Sequence, residues 1–257
     1  TLAQKSGFIK STVVGSPFEH VVYFNQPDSQ SSILHVYIEG DGRPWVSEFR
    51  ISKDPTPNEP LMLQLMTLDT NPSLYLGRPC YHGLSVKQPC HYKFWTSDRY
   101  SETVLKSMET VLKDYLKQFQ YKKINIFGHS GGGTLAMLLA HRFEETNMVV
   151  TIAGNLNTSA WTQYHAYTPL SNSLNPSDMN PLDTKIIQYH LAGSRDSNLP
   201  VKIIKDAVNY QSMAELIVVD EYTHQCCWED IWPQVLNCIA KKCNLSSYLS
   251  TLTRLSS

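Results

Sequence analysis

Residues 124–143, INIFGHSGGGTLAMLLAHRF, run from β-branched residues through four glycines and one serine into an Ala/Leu-rich stretch. Three consecutive glycines weaken any regular element that contains them, so a chain that keeps them here has a use for them. The pattern predicts a strand, a sharp turn with Ser130 at its apex, and a helix. At such a turn the serine backbone is forced into an unfavourable conformation, and residues two positions away come too close to carry a Cβ. Gly128 and Gly132 meet that need. Gly131 leaves its backbone N–H open to approach, and Gly133 lets the helix lie against the sheet. The helix start behind Ser130 offers a positive dipole end and free amides, a setting suited to a negatively charged oxygen. A phosphate-binding loop fits poorly, because no Lys-Ser/Thr pair follows the glycines and G-x-G-x-x-G spacing is absent.

Around this turn the chain alternates. Residues 20–25 (HVVYFN) and 33–40 (ILHVYIEG) read as strands separated by the polar turn QPDSQSS, which lets them pair as a hairpin. From Gly40 to about Tyr100 prolines and aromatics dominate, and only LMLQLMTL looks briefly helical. Apolar residues at three- and four-residue spacing then predict a helix over SETVLKSMETVLKDYLKQF, capped by Ser101. Beyond the glycine turn come strand MVVTIAG, a long polar insertion, strand KIIQYHLAG, helix VKIIKDAVNY, strand AELIVVD and helix WEDIWPQVLNCIA. Strands alternating with helices imply a parallel sheet covered on both faces; the start suggests that the sheet is mixed.

A serine hydroxyl needs a histidine to take its proton, and the histidine needs a carboxylate to hold it. On a doubly wound sheet the order is serine, acid, histidine, each after a strand. Asp196 follows KIIQYHLAG in the loop GSRDSNLP, and His224 follows AELIVVD in DEYTHQCCW. Asp183 precedes its strand, Asp206 lies in a predicted helix, and Asp220 and Glu221 are too near His224. Of the other histidines, His35 and His190 sit in strands, His141 ends a helix, and His129 points away from Ser130. A second oxyanion amide is expected from the strand end EGDGRPW, at Asp41, paired with that of Gly131; the Asp41 carboxylate must then turn away, toward Arg43.

The set GHSGG, EGDG, GSRD with Pro200, and His224 resembles the α/β-hydrolase superfamily over nearly the whole chain. The resemblance implies an α/β-hydrolase fold, a mostly parallel doubly wound sheet with helices on both faces, as one domain over 1–257. It implies Ser130 as nucleophile, Asp196 as acid, His224 as base, and Asp41 and Gly131 as oxyanion amides, with no cofactor. The chain has Glu39-Gly40 where many members have His-Gly.

Residues 155–184 stand where such enzymes carry a cap, and a loop this long is usually functional or disordered. Trp161, Tyr164 and Tyr167 fall at helical spacing, facing either the pocket or each other, and Trp45 opens a second expected pocket wall. No metal is expected, because neither Cys80, His82, Cys90 and His91 nor His224, Cys226 and Cys227 has paired C-x₂-C spacing. The charge of -1 gives no reason to expect nucleic acid, and no apolar run approaches the roughly 20 residues that span a bilayer. Oligomeric state is not readable.

Six cysteines, with Cys80 and Cys90 closing a short loop, Cys238 and Cys243 flanking IAKK, and Cys226 and Cys227 adjacent, suit an oxidising, exported setting. Their connectivity stays open. TLAQKSGFIK has no apolar core, so any export signal is expected to have been removed or never present. The function expected is hydrolysis of a small-molecule or lipid-like carboxylic ester through an acyl-enzyme. An acyltransferase, a catalytically silent binding module and a peptidase are the alternatives.

Overall fold

The parallel strands read from the sequence are there, and both their faces are covered. The computed structural model describes residues 2–27 and 31–249. Its strands are β1 (Ile9–Val14), β2 (Glu19–Asn25), β3 (Ile33–Ile38), β4 (Trp45–Ser47), β5 (Arg50–Ile51), β6 (Ser73–Leu76), β7 (Lys123–His129), β8 (Thr146–Ile152), β9 (Ile187–Gly193) and β10 (Ala214–Val219). The α-helices are α1 (Leu2–Lys5), α2 (Leu61–Met66), α3 (Glu102–Phe119), α4 (Gly131–Ala140), α5 (Thr158–Tyr164), α6 (Val201–Val208) and α7 (Trp228–Lys241). Eight strands form one sheet in the order β1-β2-β6-β3-β7-β8-β9-β10. Within this sheet the β1/β2 and β2/β6 pairs are antiparallel and the rest parallel, while β4 and β5 form a separate antiparallel pair.

Side chains alternate between two cores, as the pleat requires. Leu34, Val36 and Ile38 of β3, with Ile124 and Ile126 of β7, face α3, α4 and α6. Tyr37 of β3, Phe127 of β7 and Val150 and Ile152 of β8 face α2 and α7, where Trp228 and Trp232 are fully buried. Ser101 caps α3 by accepting from Val104 N–H.

The expected hairpin of β2 and β3 does not form. The four-residue β6 lies between them, hydrogen-bonded to both. A polar connection permits a hairpin but does not require one, and a buried SLYL strand completes the sheet better than direct pairing would. Part of that connection, residues 28–30, lies outside the described residues. The cysteines pair Cys80–Cys90, Cys226–Cys227 and Cys238–Cys243. Among the described residues no helix is long and apolar enough to cross a membrane.

Candidate active site

Parallel strands deliver their C-terminal loops to one edge of the sheet, and here that edge collects Asp41 after β3, Ser130 after β7, Asp196 after β9 and His224 after β10. Ser130 has φ 53° and ψ -120°, a left-handed conformation that costs a non-glycine residue of order 1–3 kcal/mol. The turn is held by the Ser130 N–H donating to Ile152 O (3.0 Å) and by Gly133 and Asn155 N–H donating to Ser130 O (2.9 and 3.0 Å). A Cβ on Gly128 would sit 2.3 Å from Gly132 O, so strand and helix could not cross this closely with any larger residue.

The structure brings Ser130, His224 and Asp196 into one hydrogen-bonded line. His224 Nε2 lies 3.0 Å from Ser130 Oγ, and His224 Nδ1 lies 2.8 Å from Asp196 Oδ2. The Asp196 side chain is fully buried, and its Oδ1 accepts from the backbone N–H groups of Asn198 and Leu199, each at 2.8 Å. With Oδ1 taken up by the two amides, Oδ2 accepts the His224 Nδ1–H, which leaves the Nε2 lone pair for a hydroxyl proton. The arrangement can therefore generate an alkoxide-like serine.

His129 does point away from Ser130. Its Nε2–H donates to the His224 carbonyl (2.8 Å), tying the histidine loop to β7. Burial, reinforced by the His224 imidazole, pushes its pKa down to about 3, so it is a neutral donor. Glu39, at the end of β3, accepts from Gly40 N–H (3.2 Å) and Met62 N–H (3.0 Å), the latter at the start of α2. Burial raises its carboxyl to about 7 against those amides.

Asp41 departs from expectation in its partner. Its carboxylate turns away from solvent, not toward Arg43 but to Arg78 Nη1 (2.5 Å), Arg99 Nη1 (2.9 Å) and the Tyr100 hydroxyl (2.6 Å). Arg43 is exposed at the rim, where a carboxylate gains little, whereas the two buried guanidiniums would otherwise be uncompensated. Burial opposes the Asp41 charge, yet Arg99, Arg78 and Tyr100 prevail and hold its carboxyl well below the usual carboxylate range. Tyr81 OH donates to Asp41 O (3.0 Å), so Arg78 and Tyr81, beside the Cys80–Cys90 bridge, fix both ends of this residue. The carboxylate lies beside α4: a Cβ on Gly131 would come 2.2 Å from Asp41 Oδ1. Gly40 in turn packs so that a Cβ there would be 3.3 Å from Ser130 Cβ.

Ser130 and His224 open into a cavity of about 1400 Å³ whose wall includes Gly40, Asp41, Trp45, Trp161, Tyr167 and Asn198. Tyr164 is not on that wall; it lies 56% exposed. The reason is local. Helix α5 ends at Tyr164, and the chain reverses at Ala166 (φ 55°), bringing Tyr167 rather than Tyr164 back beside Trp161. Residues 155–184 are not loose: Ser173 Oγ accepts from Tyr100 N–H, Leu174 N–H donates to Tyr100 O, and Asn172 donates to Asp98. Asn198, which sequence reasoning passed over, donates from Nδ2 to His224 Nε2 (3.0 Å). Its only sequence signal was its place two residues after Asp196. No cluster able to hold a metal ion is found among the described residues.

Comparison with known proteins finds the same fold elsewhere. Residues 41–163, just under half of the chain, match the family described as Lipase (class 3). No curated protein sequence matches. Among solved structures, Est1E from Butyrivibrio proteoclasticus, described with ferulic acid bound, superposes with TM-score 0.67 at 12% identity, covering 90% of this chain and 98% of its own. An esterase from Pyrococcus furiosus gives TM-score 0.66 at 13% identity over 93% of each chain. An alpha-beta serine hydrolase homologue from Coxiella burnetii gives 0.60 at 11% identity, over 91% of this chain and 96% of that one. Strand order, the turn at residue 130 and these likenesses agree: the chain has the α/β-hydrolase fold.

Proposed function

We propose that the protein is a serine hydrolase that cleaves carboxylic esters through an acyl-enzyme. The observation that carries this is the unbroken line Asp196–His224–Ser130, at 2.8 and 3.0 Å, opening into a cavity. Ser130 Oγ attacks the ester carbonyl while His224 Nε2 takes its proton. Asp196 keeps the imidazole in the Nδ1–H tautomer and favours the imidazolium. The tetrahedral oxygen is received by the backbone amides of Asp41 and Gly131, at the positive end of α4. His224 returns the proton to the departing alcohol. Water, activated by the same imidazole, then releases the acid.

The Asp41 carboxylate is compatible with this role because two guanidiniums outweigh its charge. Trp45, Trp161 and Tyr167 give the cavity apolar walls, which favours a small-molecule or lipid-like acyl ester. Residues 155–184 act as a cap on a single domain. The three disulfides favour work in an oxidising, exported setting; thiol titration of the denatured, unreduced protein is expected to find none free.

A fluorophosphonate probe tests the reading. It should label Ser130, and Ser130→Ala should abolish both labelling and hydrolysis of nitrophenyl esters. Labelling elsewhere, or equal labelling of the alanine variant, overturns the proposal. Adding alcohol acceptors to the same assay separates hydrolysis from acyl transfer by the products formed.

A further inference from the structure

Asn198 has all four of its polar groups engaged, and they reach three parts of the molecule. Its backbone N–H donates to Asp196 Oδ1 (2.8 Å) and its carbonyl accepts from His165 Nε2 (2.8 Å). Its side-chain Oδ1 accepts from Trp161 Nε1 (3.4 Å), and its Nδ2 donates to His224 Nε2 (3.0 Å). Asp196 and His224 belong to the proposed triad; Trp161 and His165 belong to the cap. One residue bridges the two.

The bridge has a definite chemical direction. With Nδ1–H committed to Asp196, the neutral imidazole has a single lone pair, on Nε2, and two donors reach it, Ser130 Oγ–H and Asn198 Nδ2–H. The amide cannot turn over freely, because the indole N–H needs an oxygen on its side. A donor at Nε2 favours the neutral imidazole. Once the imidazole takes the serine proton, Nε2–H faces another N–H, and the amide must rotate to present Oδ1, giving up Trp161. The orientation of one amide thus links the indole in the cap to the protonation of His224.

We propose that Asn198 is a positioning residue that couples the cap, through Trp161, to the protonation state of His224. The inference rests on the serine-hydrolase reading for its catalytic meaning, though the hydrogen bonds stand without it. The titratable groups around the imidazole are Asp196 after β9, His129 on β7 with Glu39 and Asp41 below it, and His165 beyond Asn198. The substitutions below leave all of them in place.

The test follows His224 directly by NMR titration of its imidazole, alongside pH profiles of kcat and kcat/KM on a nitrophenyl ester. In Asn198→Ala the lost donor should raise the His224 titration, and the acid limb with it, by about half to one pH unit. The misaligned imidazole should lower kcat roughly tenfold, with KM within about twofold. Trp161→Phe, which keeps the ring and removes only its N–H donor, should move the titration in the same direction by a smaller amount. The double variant should go no further than Asn198→Ala alone, because both act on one amide. A His224 titration unmoved in variants that melt like the parent overturns the proposal, as do strictly additive effects. Should Asn198→Ala fail to fold, Trp161→Phe decides alone. Failure of the parent to label at Ser130 would sink the hydrolase reading instead, while the titration would still judge the coupling.

Discussion

Asp196 has two oxygens in two different environments, and that asymmetry sets what its amide replacement does. Oδ1 is claimed by two backbone N–H donors and Oδ2 by the imidazole. In Asp196→Asn the carbonyl oxygen will take the backbone donors, so the NH₂ faces His224 Nδ1 and forces the proton onto Nε2. The imidazole then has no lone pair for Ser130, and kcat should fall by about 10⁴ with little change in KM; steady-state kinetics on a nitrophenyl ester check this. Arg99→Met leaves the Asp41 carboxylate beside Gly131 with one guanidinium fewer. A loss of about 10²-fold in kcat follows for a disturbed oxyanion site, and breaking a buried pair costs about 3–5 kcal/mol of stability, read by urea unfolding. These residues differed in how readable they were. Ser130, Asp196 and His224 each follow a strand whose apolar run marks its end, so topology alone brought them together. The partners of Asp41 did not follow from sequence, because Arg78 and Arg99 lie in an irregular region without periodicity. Arg43 was merely nearest in the chain.

At the scale of elements, the β7–turn–α4 unit was readable because its constraint is steric and local. Gly128 and Gly132 face each other across the crossing, and a Cβ on Gly128 would meet a backbone oxygen at 2.3 Å. Backbone cannot move aside as a side chain can. Gly128→Ala should therefore cost more than about 3 kcal/mol, either lowering the thermal midpoint sharply or preventing soluble expression; a parent-like melting curve would contradict this account. The edge of the sheet was harder to read. Strand β1, IKSTVV, is mostly exposed, and β6 is only four residues long within a proline-rich region. Neither gives a sustained period, and their pairing is decided by the sheet they complete. Helix α5 shows the same limit, since the reversal at Ala166 that swaps Tyr167 for Tyr164 leaves no mark in the spacing of aromatics.

The whole molecule carries a pH dependence distributed over its two cores. His20, His129 and His190 are buried, and desolvation holds them at about 4, about 3 and about 3, against 6.5 in an unfolded chain. As pH falls through 6.5 the unfolded state takes up these protons while the folded state refuses them until about 3 to 4. Each histidine thus costs about 2 kcal/mol of stability by pH 5. His82, lowered to about 4, acts in the same direction. Glu39 acts oppositely: its folded carboxyl, at about 7 against 4.5 unfolded, holds a proton that the unfolded state has released. Between pH 7 and 4.5 it returns roughly 2–3 kcal/mol as pH falls. The four histidines together outweigh Glu39, so stability should drop by roughly 5–6 kcal/mol between pH 7.5 and 5, a large share of the 5–15 kcal/mol typical of a domain. Asp41, held below the ordinary carboxylate range, adds its own loss only nearer pH 4. Urea midpoints at pH 7.5, 6 and 5 measure the fall, and Glu39→Gln, which cannot take up the proton, should steepen it. A midpoint that holds level or rises on acidification would mean that the buried imidazoles accept protons in the folded state, and that water or a carboxylate reaches them there.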